Sequence, residues 1–204
     1  DYKLAFDLYT KAAEQGNADG QSGLGAIYLQ GDGVLKDYQQ AFDWSSKAAE
    51  QGNARGQNIL GSLYDFGLGV ETDYQKAFDW YTKAVNQNSV SGHVSLAMMY
   101  FYGNAVSQDY QIAFDLLKKI ENRPGGQYAQ FILGHMYLSG LGVKKDSKEA
   151  ANWFQKAADQ GHDRAQYSLG RAFYNGEGVY KDNTVAVSWY KKAAEQGNDN
   201  AQNS

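Results

Sequence analysis

Apolar residues recur along this chain in steps of three and four, the spacing that places side chains on one face of an α-helix. One recurring pattern is Ala-x-x-Trp, usually followed one turn later by two small apolar residues. Its four copies are Ala41 and Trp44, Ala77 and Trp80, Ala150 and Trp153, and Ala186 and Trp189. The pattern predicts a set of similar amphipathic helices.

A second recurring pattern, Leu-Gly-x-x-Tyr, predicts another set of helices that alternates with the first. The copies begin at Leu24, Leu60 and Leu133, and variants begin at Leu96 and Leu169. Glycine inside a helix costs about 1 kcal/mol relative to alanine. Its recurrence at one position therefore predicts that a neighbouring helix approaches closely there.

Signals for helix ends recur with the same period. Aspartates precede the Ala-x-x-Trp helices, where a carboxylate can accept the free N–H groups of the first turn. They are Asp37, Asp73, Asp146 and Asp182, and Glu149 three residues after Asp146 resembles part of a capping box. Glycines follow these helices, as expected for a left-handed residue after a helix. They are Gly16, Gly52, Gly161 and Gly197.

The repeat length is 36 residues, since Asp-Tyr-x-x-Ala-Phe begins at positions 1, 37, 73 and 109. Weaker copies begin at positions 146 and 182, and the fourth repeat carries one extra residue within 123–126. We predict a single repeat domain over 1–204, with units starting near 1, 37, 73, 109, 146 and 182. Both ends are cut in the middle of a repeat, so we expect either a piece of a longer array or a chain from which disordered ends are left out.

These motifs closely resemble the Sel-one-like repeat (SLR) family, a relative of the tetratricopeptide repeats. The resemblance covers essentially the whole chain, and the fourth repeat departs most, with Leu116-Leu117 in place of Trp-Tyr. It implies an all-α fold, a right-handed α/α superhelix of about five helix-turn-helix repeats. It also implies that the Leu-Gly helices line the concave wall, and that the protein is an adaptor binding proteins or peptides.

Composition narrows the remaining function classes. The chain has no cysteine, which excludes a disulfide scaffold and a thiol nucleophile. Its net charge of −4 argues against nucleic acid and anionic membranes as main partners. No apolar run is long enough for a transmembrane helix. We expect no metal and no cofactor, since no His-x-x-x-His pair is present and the Gly-x-Gly strings lack the third glycine of a dinucleotide site.

The three histidines do not form a catalytic group. We interpret His93 and His162 as surface or capping residues near turns, whereas His135 is a candidate for ligand contact. The recurring tryptophans and tyrosines are interpreted as core residues. No arrangement of nucleophile, base and oxyanion donors is found, so we predict that the chain is not an enzyme.

Binding residues are expected where the repeat leaves the sequence free. On the Leu-Gly helices these positions lie two before the leucine and two, five and six after it, on one face. In the first repeat they hold Ser22, Ala26, Leu29 and Gln30. In later repeats the candidate ligand-binding residues are Asn58, Asp65, Phe66, Met98, Phe101, Tyr102, Phe131, His135, Tyr167, Arg171 and Tyr174. Their aromatic, methionine and arginine content is typical of interface cores.

We therefore predict a scaffold that binds a protein or peptide segment in its concave groove. The family resemblance suggests action in a bacterial envelope or toward a host cell, which favours a periplasmic or secreted location. A structural spacer that assembles with itself is the main alternative. A β-lactam-binding or hydrolysing enzyme is a weaker one, because the chain has neither cysteine nor a Ser-x-x-Lys string.

Overall fold

The computed structural model describes residues 2–202, and its elements are α-helices that alternate as the two sequence patterns predict. The predicted unit start at Asp1 and domain end at Ser204 lie outside the described residues. The helices are α1 Tyr2–Glu14, α2 Ala18–Gln30, α3 Tyr38–Glu50, α4 Ala54–Phe66, α5 Tyr74–Asn86, α6 Val90–Tyr102, α7 Tyr110–Lys118, α8 Gln127–Ser139, α9 Ser147–Asp159, α10 Asp163–Asn175, α11 Asn183–Glu195 and α12 Asp199–Gln202. The all-α class and the helix-pair repeat are confirmed.

The chain groups into two compact units, an N-terminal unit Asp1–Gln108 and a C-terminal unit Asp109–Ser204. Within each unit, consecutive helices pack against each other, so each Leu-Gly helix contacts an Ala-x-x-Trp helix. Most of the buried side chains are small or aliphatic, with Leu63 and Leu133 fully enclosed. The organisation as a single domain over 1–204 stays a prediction.

The predicted aspartate caps are confirmed. The Asp37 carboxylate accepts the amide of Gln40 at 3.0 Å, and equivalent bonds form at Asp73, Asp146 and Asp182. The capping box at Asp146 is only half formed, because the Asp146 amide donates to the Tyr137 carbonyl at 2.9 Å. This backbone bond joins the start of each Ala-x-x-Trp helix to the end of the helix before it.

The close approach predicted at the Leu-Gly glycines is confirmed. A Cβ atom built on Gly61 would lie 2.7 Å from the Tyr81 ring, and one on Gly170 would lie 2.7 Å from the Tyr190 ring. Helix α4 therefore packs against α5, and α10 against α11, with an aromatic ring laid over a bare backbone. The stability cost of glycine inside the helix is offset by this contact.

Left-handed residues end the helices at the predicted glycines. Gly16, Gly52, Gly161 and Gly197 have φ between +83° and +85°. A second left-handed position lies in the turn after each Leu-Gly helix. In four repeats this position is a glycine, namely Gly33, Gly69, Gly142 or Gly178. In the third repeat it is Ala105, with φ +63°.

Replacing Ala105 with glycine is expected to raise the free energy of unfolding by about 1 kcal/mol, because a β-carbon is strained in the left-handed region. The reverse change, Gly69→Ala, is the control. It should destabilise the protein, since its Cβ would also lie 2.5 Å from the Tyr38 carbonyl oxygen. Urea unfolding measures both changes. If the Ala105→Gly variant is less stable than the native protein, the claim that Ala105 is strained is contradicted.

Candidate functional site

The predicted binding residues lie on one side of the Leu-Gly helices within each unit. We call these residues the recognition face. In the N-terminal unit they are Asn58, Asp65 and Phe66 on α4 and Met98, Phe101 and Tyr102 on α6. In the C-terminal unit they are Phe131 and His135 on α8 and Tyr167, Arg171 and Tyr174 on α10.

Three aromatic side chains of the recognition face are exposed. Phe66 is 67% exposed, Tyr102 66% and Tyr174 53%. Met98 and Phe101 are half-buried, and the Phe101 ring meets the Tyr102 ring edge-on with centroids 5.2 Å apart. These side chains leave apolar surface in contact with solvent, which is typical of a binding patch.

The first repeat continues this face only in part. Ser22 is 1% exposed and Ala26 is 6% exposed, so these two predicted free positions on α2 are enclosed, whereas Leu29 is half-buried and Gln30 is exposed. Ala26 belongs to a core cluster with Ala41, Ile59 and Leu63.

Two side-chain hydrogen bonds join α4 to α6 and to α5 in the N-terminal unit. The Ser95 hydroxyl donates to Asn58 Oδ1 at 3.1 Å, and the Tyr81 hydroxyl donates to Asp65 Oδ2 at 3.3 Å. Burial raises the pKa of the Asp65 carboxyl, and the Tyr81 hydrogen bond offsets only part of that effect. No lysine or arginine nitrogen lies within 4.0 Å of Asp65 among the described residues. Asp65 is therefore a half-buried carboxylate without a cation, which is typical of a binding site.

The Asp65→Asn variant is expected to be more stable than the native protein at pH 7. A folded-state pKa above the unfolded value means that the stability contribution of Asp65 is present at low pH and is lost as pH rises through that pKa. Asparagine still accepts the Tyr81 hydrogen bond without the buried charge. The difference between the variants should therefore shrink between about pH 7 and pH 4.

Urea unfolding at each pH measures this difference. The same substitution at the exposed Asp79 is the control for the change in net charge. A variant that is less stable than native at pH 7 would show that Asp65 contributes stability as an ion.

In the C-terminal unit, Phe131 lies within an aromatic cluster. Its ring stacks on His162 with centroids 4.8 Å apart and meets His135 edge-on at 4.7 Å. His135 also meets the Phe154 ring at 5.0 Å. Burial lowers the pKa of His135, and the positive charge of Arg171 lowers it further. The Phe131 and His135 rings are therefore held in place by packing. The lowered pKa of His135 favours its neutral form.

A cleft of about 300 Å³ opens beside this cluster. It is lined by side chains of α8 and α10 together with Asn198 before α12. The lining includes Phe131, His135, Arg164, Tyr167, Arg171 and Asn198. Four of the predicted binding residues thus meet at one site in this unit.

Sequence reasoning missed Arg164, which is exposed on the same wall of the cleft. The signal was its position seven residues before Arg171, since residues seven apart share a helix face. Tyr174 lies one turn beyond Arg171, outside this cleft lining, with the Lys181 ammonium 5.4 Å from its ring centroid.

The other histidines differ from each other. His162 caps α10, accepting the Ala165 amide through Nδ1 at 3.2 Å, as its interpretation as a capping residue predicted. His93 is only 4% exposed, so its interpretation as a surface residue is wrong. Its Nδ1 lies 2.8 Å from the Ser89 carbonyl oxygen. His93 occupies a slot that holds a buried glutamine in other repeats, and those glutamines form a hydrogen-bond series that sequence reasoning missed.

This series links neighbouring repeats within each unit. In the N-terminal unit the amides of Gln51 and Gln87 donate to Gln21 and Gln57, each at 2.7 Å. The C-terminal unit repeats the arrangement in two further bonds, Gln160 to Gln130 at 2.7 Å and Gln196 to Gln166 at 2.8 Å. The 36-residue recurrence of glutamine was the signal for these bonds.

Two negative findings concern residues 2–202. No group of three or more His, Cys, Asp or Glu side chains there could hold a metal ion. No helix among these residues has the length and apolar character needed to cross a bilayer.

Comparison with protein families gives a match over most of the chain. The Sel1 repeat model matches residues 1–17, 18–53, 54–89, 91–120, 127–162 and 163–198. No curated protein matches the chain.

Solved structures of bacterial repeat proteins are similar to this chain. A protective antigen of uropathogenic Escherichia coli strains, displaying an SLR fold, is 37% identical with a TM-score of 0.79. The match covers 99% of this chain but only 43% of that protein. A Sel1 repeat protein from Oxalobacter formigenes is 30% identical, with a TM-score of 0.83 and coverage of 98% of this chain and 80% of that one. An immunity protein from Pseudomonas aeruginosa is 27% identical, with a TM-score of 0.66 and coverage of 90% and 67%.

Proposed function

Because the chain belongs to the Sel1 repeat family, we propose that it is a non-enzymatic module that binds a protein or peptide segment on its recognition face. Sel1 repeat proteins are generally protein-interaction scaffolds. The proposal adds the surface and the type of ligand. In the family architecture this surface lines the concave groove, which is where we place the bound segment.

The exposed aromatic side chains at positions that the fold leaves free carry this proposal. Phe66 and Tyr102 occupy a slot that holds Gln30, Ser139 and Asn175 in the other repeats. Packing of the repeat therefore does not require an aromatic ring there. Aromatic residues are, however, enriched in the cores of protein interfaces.

A periplasmic or secreted location is part of the proposal. It is supported by the similarity to a protective antigen and to an immunity protein, both bacterial. In such a location the partner would belong to the cell envelope or to another cell.

A pull-down with a matched pair of variants tests the function. The Phe66→Ala/Tyr102→Ala variant removes two exposed anchors of the recognition face. The Leu35→Ala/Tyr180→Ala variant removes two side chains that are 90% and 97% exposed on turns. We expect a partner captured by the native chain to be lost by the first variant and kept by the second, with both variants still helical by circular dichroism.

The reverse outcome would place binding on the turns and refute the recognition face. Equal capture by all three proteins would also refute it. Light scattering on the native chain tests self-assembly separately, and a mass of one chain is the expected result.

A further inference from the structure

The cleft of the C-terminal unit has one wall made by a single face of α10. Arg164, Tyr167 and Arg171 lie three, four and seven residues apart, so they follow one another along this face. A rise of about 1.5 Å per residue separates the two arginine Cα atoms by about 10 Å. Two guanidinium groups therefore flank one aromatic ring, and all three line the cleft.

Neither arginine has an ion-pair partner in the part of the chain that the structure describes. No carboxylate oxygen lies within 4.0 Å of a nitrogen of Arg164 or Arg171. The nearby carboxylate of Asp163 instead accepts a hydrogen bond from Asn198 at 2.8 Å. The cleft is thus a concentration of positive charge in a chain whose net charge is −4.

The remaining lining supplies apolar surface. Phe131 and Tyr167 present aromatic rings, whereas the Asn198 amide is buried and already bonded to Asp163 and Ala201. The Phe131 ring is fixed between the two histidine rings, so this surface exists before any ligand binds. Preorganised surface reduces the entropy lost on binding.

We propose that this cleft binds an acidic peptide segment, in which two carboxylate side chains pair with Arg164 and Arg171 and an apolar residue between them packs on Tyr167 and Phe131. The inference rests on the proposed function, since it specifies the chemistry of the segment. Guanidinium groups pair with carboxylates through two parallel hydrogen bonds, which gives geometric selectivity. Sites about 10 Å apart match glutamates three residues apart in a polyproline II segment, which rises about 3.1 Å per residue and points every third side chain to the same side.

Two labelled peptides with blocked ends test the proposal on the full chain by fluorescence anisotropy. The probe is acetyl-Gly-Glu-Ala-Phe-Glu-Gly-amide, and its neutral counterpart has glutamine in place of both glutamates. We expect the acidic peptide to bind at least about tenfold more tightly at low salt, from two charge-assisted contacts. The difference should narrow at about 0.3 M salt, because the arginines are exposed to solvent.

A matched pair of variants assigns the effect to this cleft. Arg164→Gln/Arg171→Gln should remove the preference for the acidic peptide. Lys144→Gln/Lys145→Gln makes the same change in net charge on an exposed turn of the same unit and should keep the preference. An Arg171→Lys variant keeps the charge but loses the paired hydrogen bonds, so it should bind the acidic peptide with intermediate affinity.

Proton NMR of His135 gives a second readout. Arg171 contributes to the lowered pKa of His135, so a carboxylate bound at Arg171 should raise that pKa. Equal binding of both peptides to the native chain would overturn the inference. Loss of the preference for the acidic peptide in the Lys144→Gln/Lys145→Gln variant would also overturn it. So would binding of neither peptide. In each case the pull-down with the Phe66→Ala/Tyr102→Ala variant still tests the proposed function, because those residues lie in the other unit.

Discussion

Replacing Tyr81 with alanine is expected to lower the free energy of unfolding of the N-terminal unit by about 4 kcal/mol, the cost of removing an enclosed aromatic ring. Tyr81 is 1% exposed, its ring covers Gly61, and its hydroxyl group donates to Asp65. The substitution would leave a cavity between α4 and α5. It would also leave the half-buried Asp65 carboxylate without this donor.

The same change at Tyr190 is the matched control. Tyr190 lies in the equivalent slot over Gly170, but its side chain is only half-buried. We expect a loss of about 2 kcal/mol there, because less surface is removed from contact. Urea unfolding followed by circular dichroism measures both. Equal losses at the two sites would show that burial of Tyr81 does not determine its contribution.

Replacing Gln130 with leucine is expected to destabilise the C-terminal unit by about 2 kcal/mol, because it leaves a backbone acceptor without its donor. Gln130 is 4% exposed and donates to the Glu121 carbonyl oxygen at 2.6 Å. It also accepts the Gln160 amide at 2.7 Å. Leucine has a similar volume, so the effect reports the hydrogen bonds and not a cavity.

Gln166→Leu is the control for this substitution. Gln166 makes the corresponding bonds to Ala158 and Gln196, but the Gly161 amide also donates to the Ala158 oxygen at 2.9 Å. The carbonyl therefore keeps a donor in the variant, and we expect about half the loss. A larger effect at Gln166 than at Gln130 would contradict this explanation.

The sequence predicted the repeated parts of the fold closely. The caps at Asp37 and its equivalents, the left-handed glycines and the close approach at Gly61 each depend on interactions within one or two neighbouring helices. Such interactions are set by residue type and spacing, and they recur every 36 residues. Periodicity therefore reveals them without any knowledge of the three-dimensional arrangement.

The irregular fourth repeat was harder to predict. Helix α7 ends at Lys118 after 9 residues, whereas the Ala-x-x-Trp helices have 13 residues. The chain then turns through Pro124, with Ile120 buried at 1% exposure and Gln130 bonded to the Glu121 carbonyl. The single insertion was visible in the sequence, but its position in the packing was not.

The sequence predicted which helix positions carry the candidate binding residues, but not which side chains pack around them. Exposure of Phe66 and Tyr102 follows from their slot on the Leu-Gly helices. The enclosure of Ser22 and the packing of Phe131 between His135 and His162 depend on which side chains the adjacent helices supply. The Phe131–His162 contact joins α8 to the residue that caps α10, so spacing within one helix does not encode it.

Site-specific photo-crosslinking tests the central claim, that the recognition face is where a partner binds. A photoreactive phenylalanine derivative would replace Tyr102 or Tyr174 on that face, and Tyr74 or Tyr180 as exposed controls elsewhere. We predict covalent adducts with the captured partner from positions 102 or 174 and none from positions 74 and 180. Adducts that form only at positions 74 or 180 would contradict the account and place the binding surface on the Ala-x-x-Trp helices or the turns.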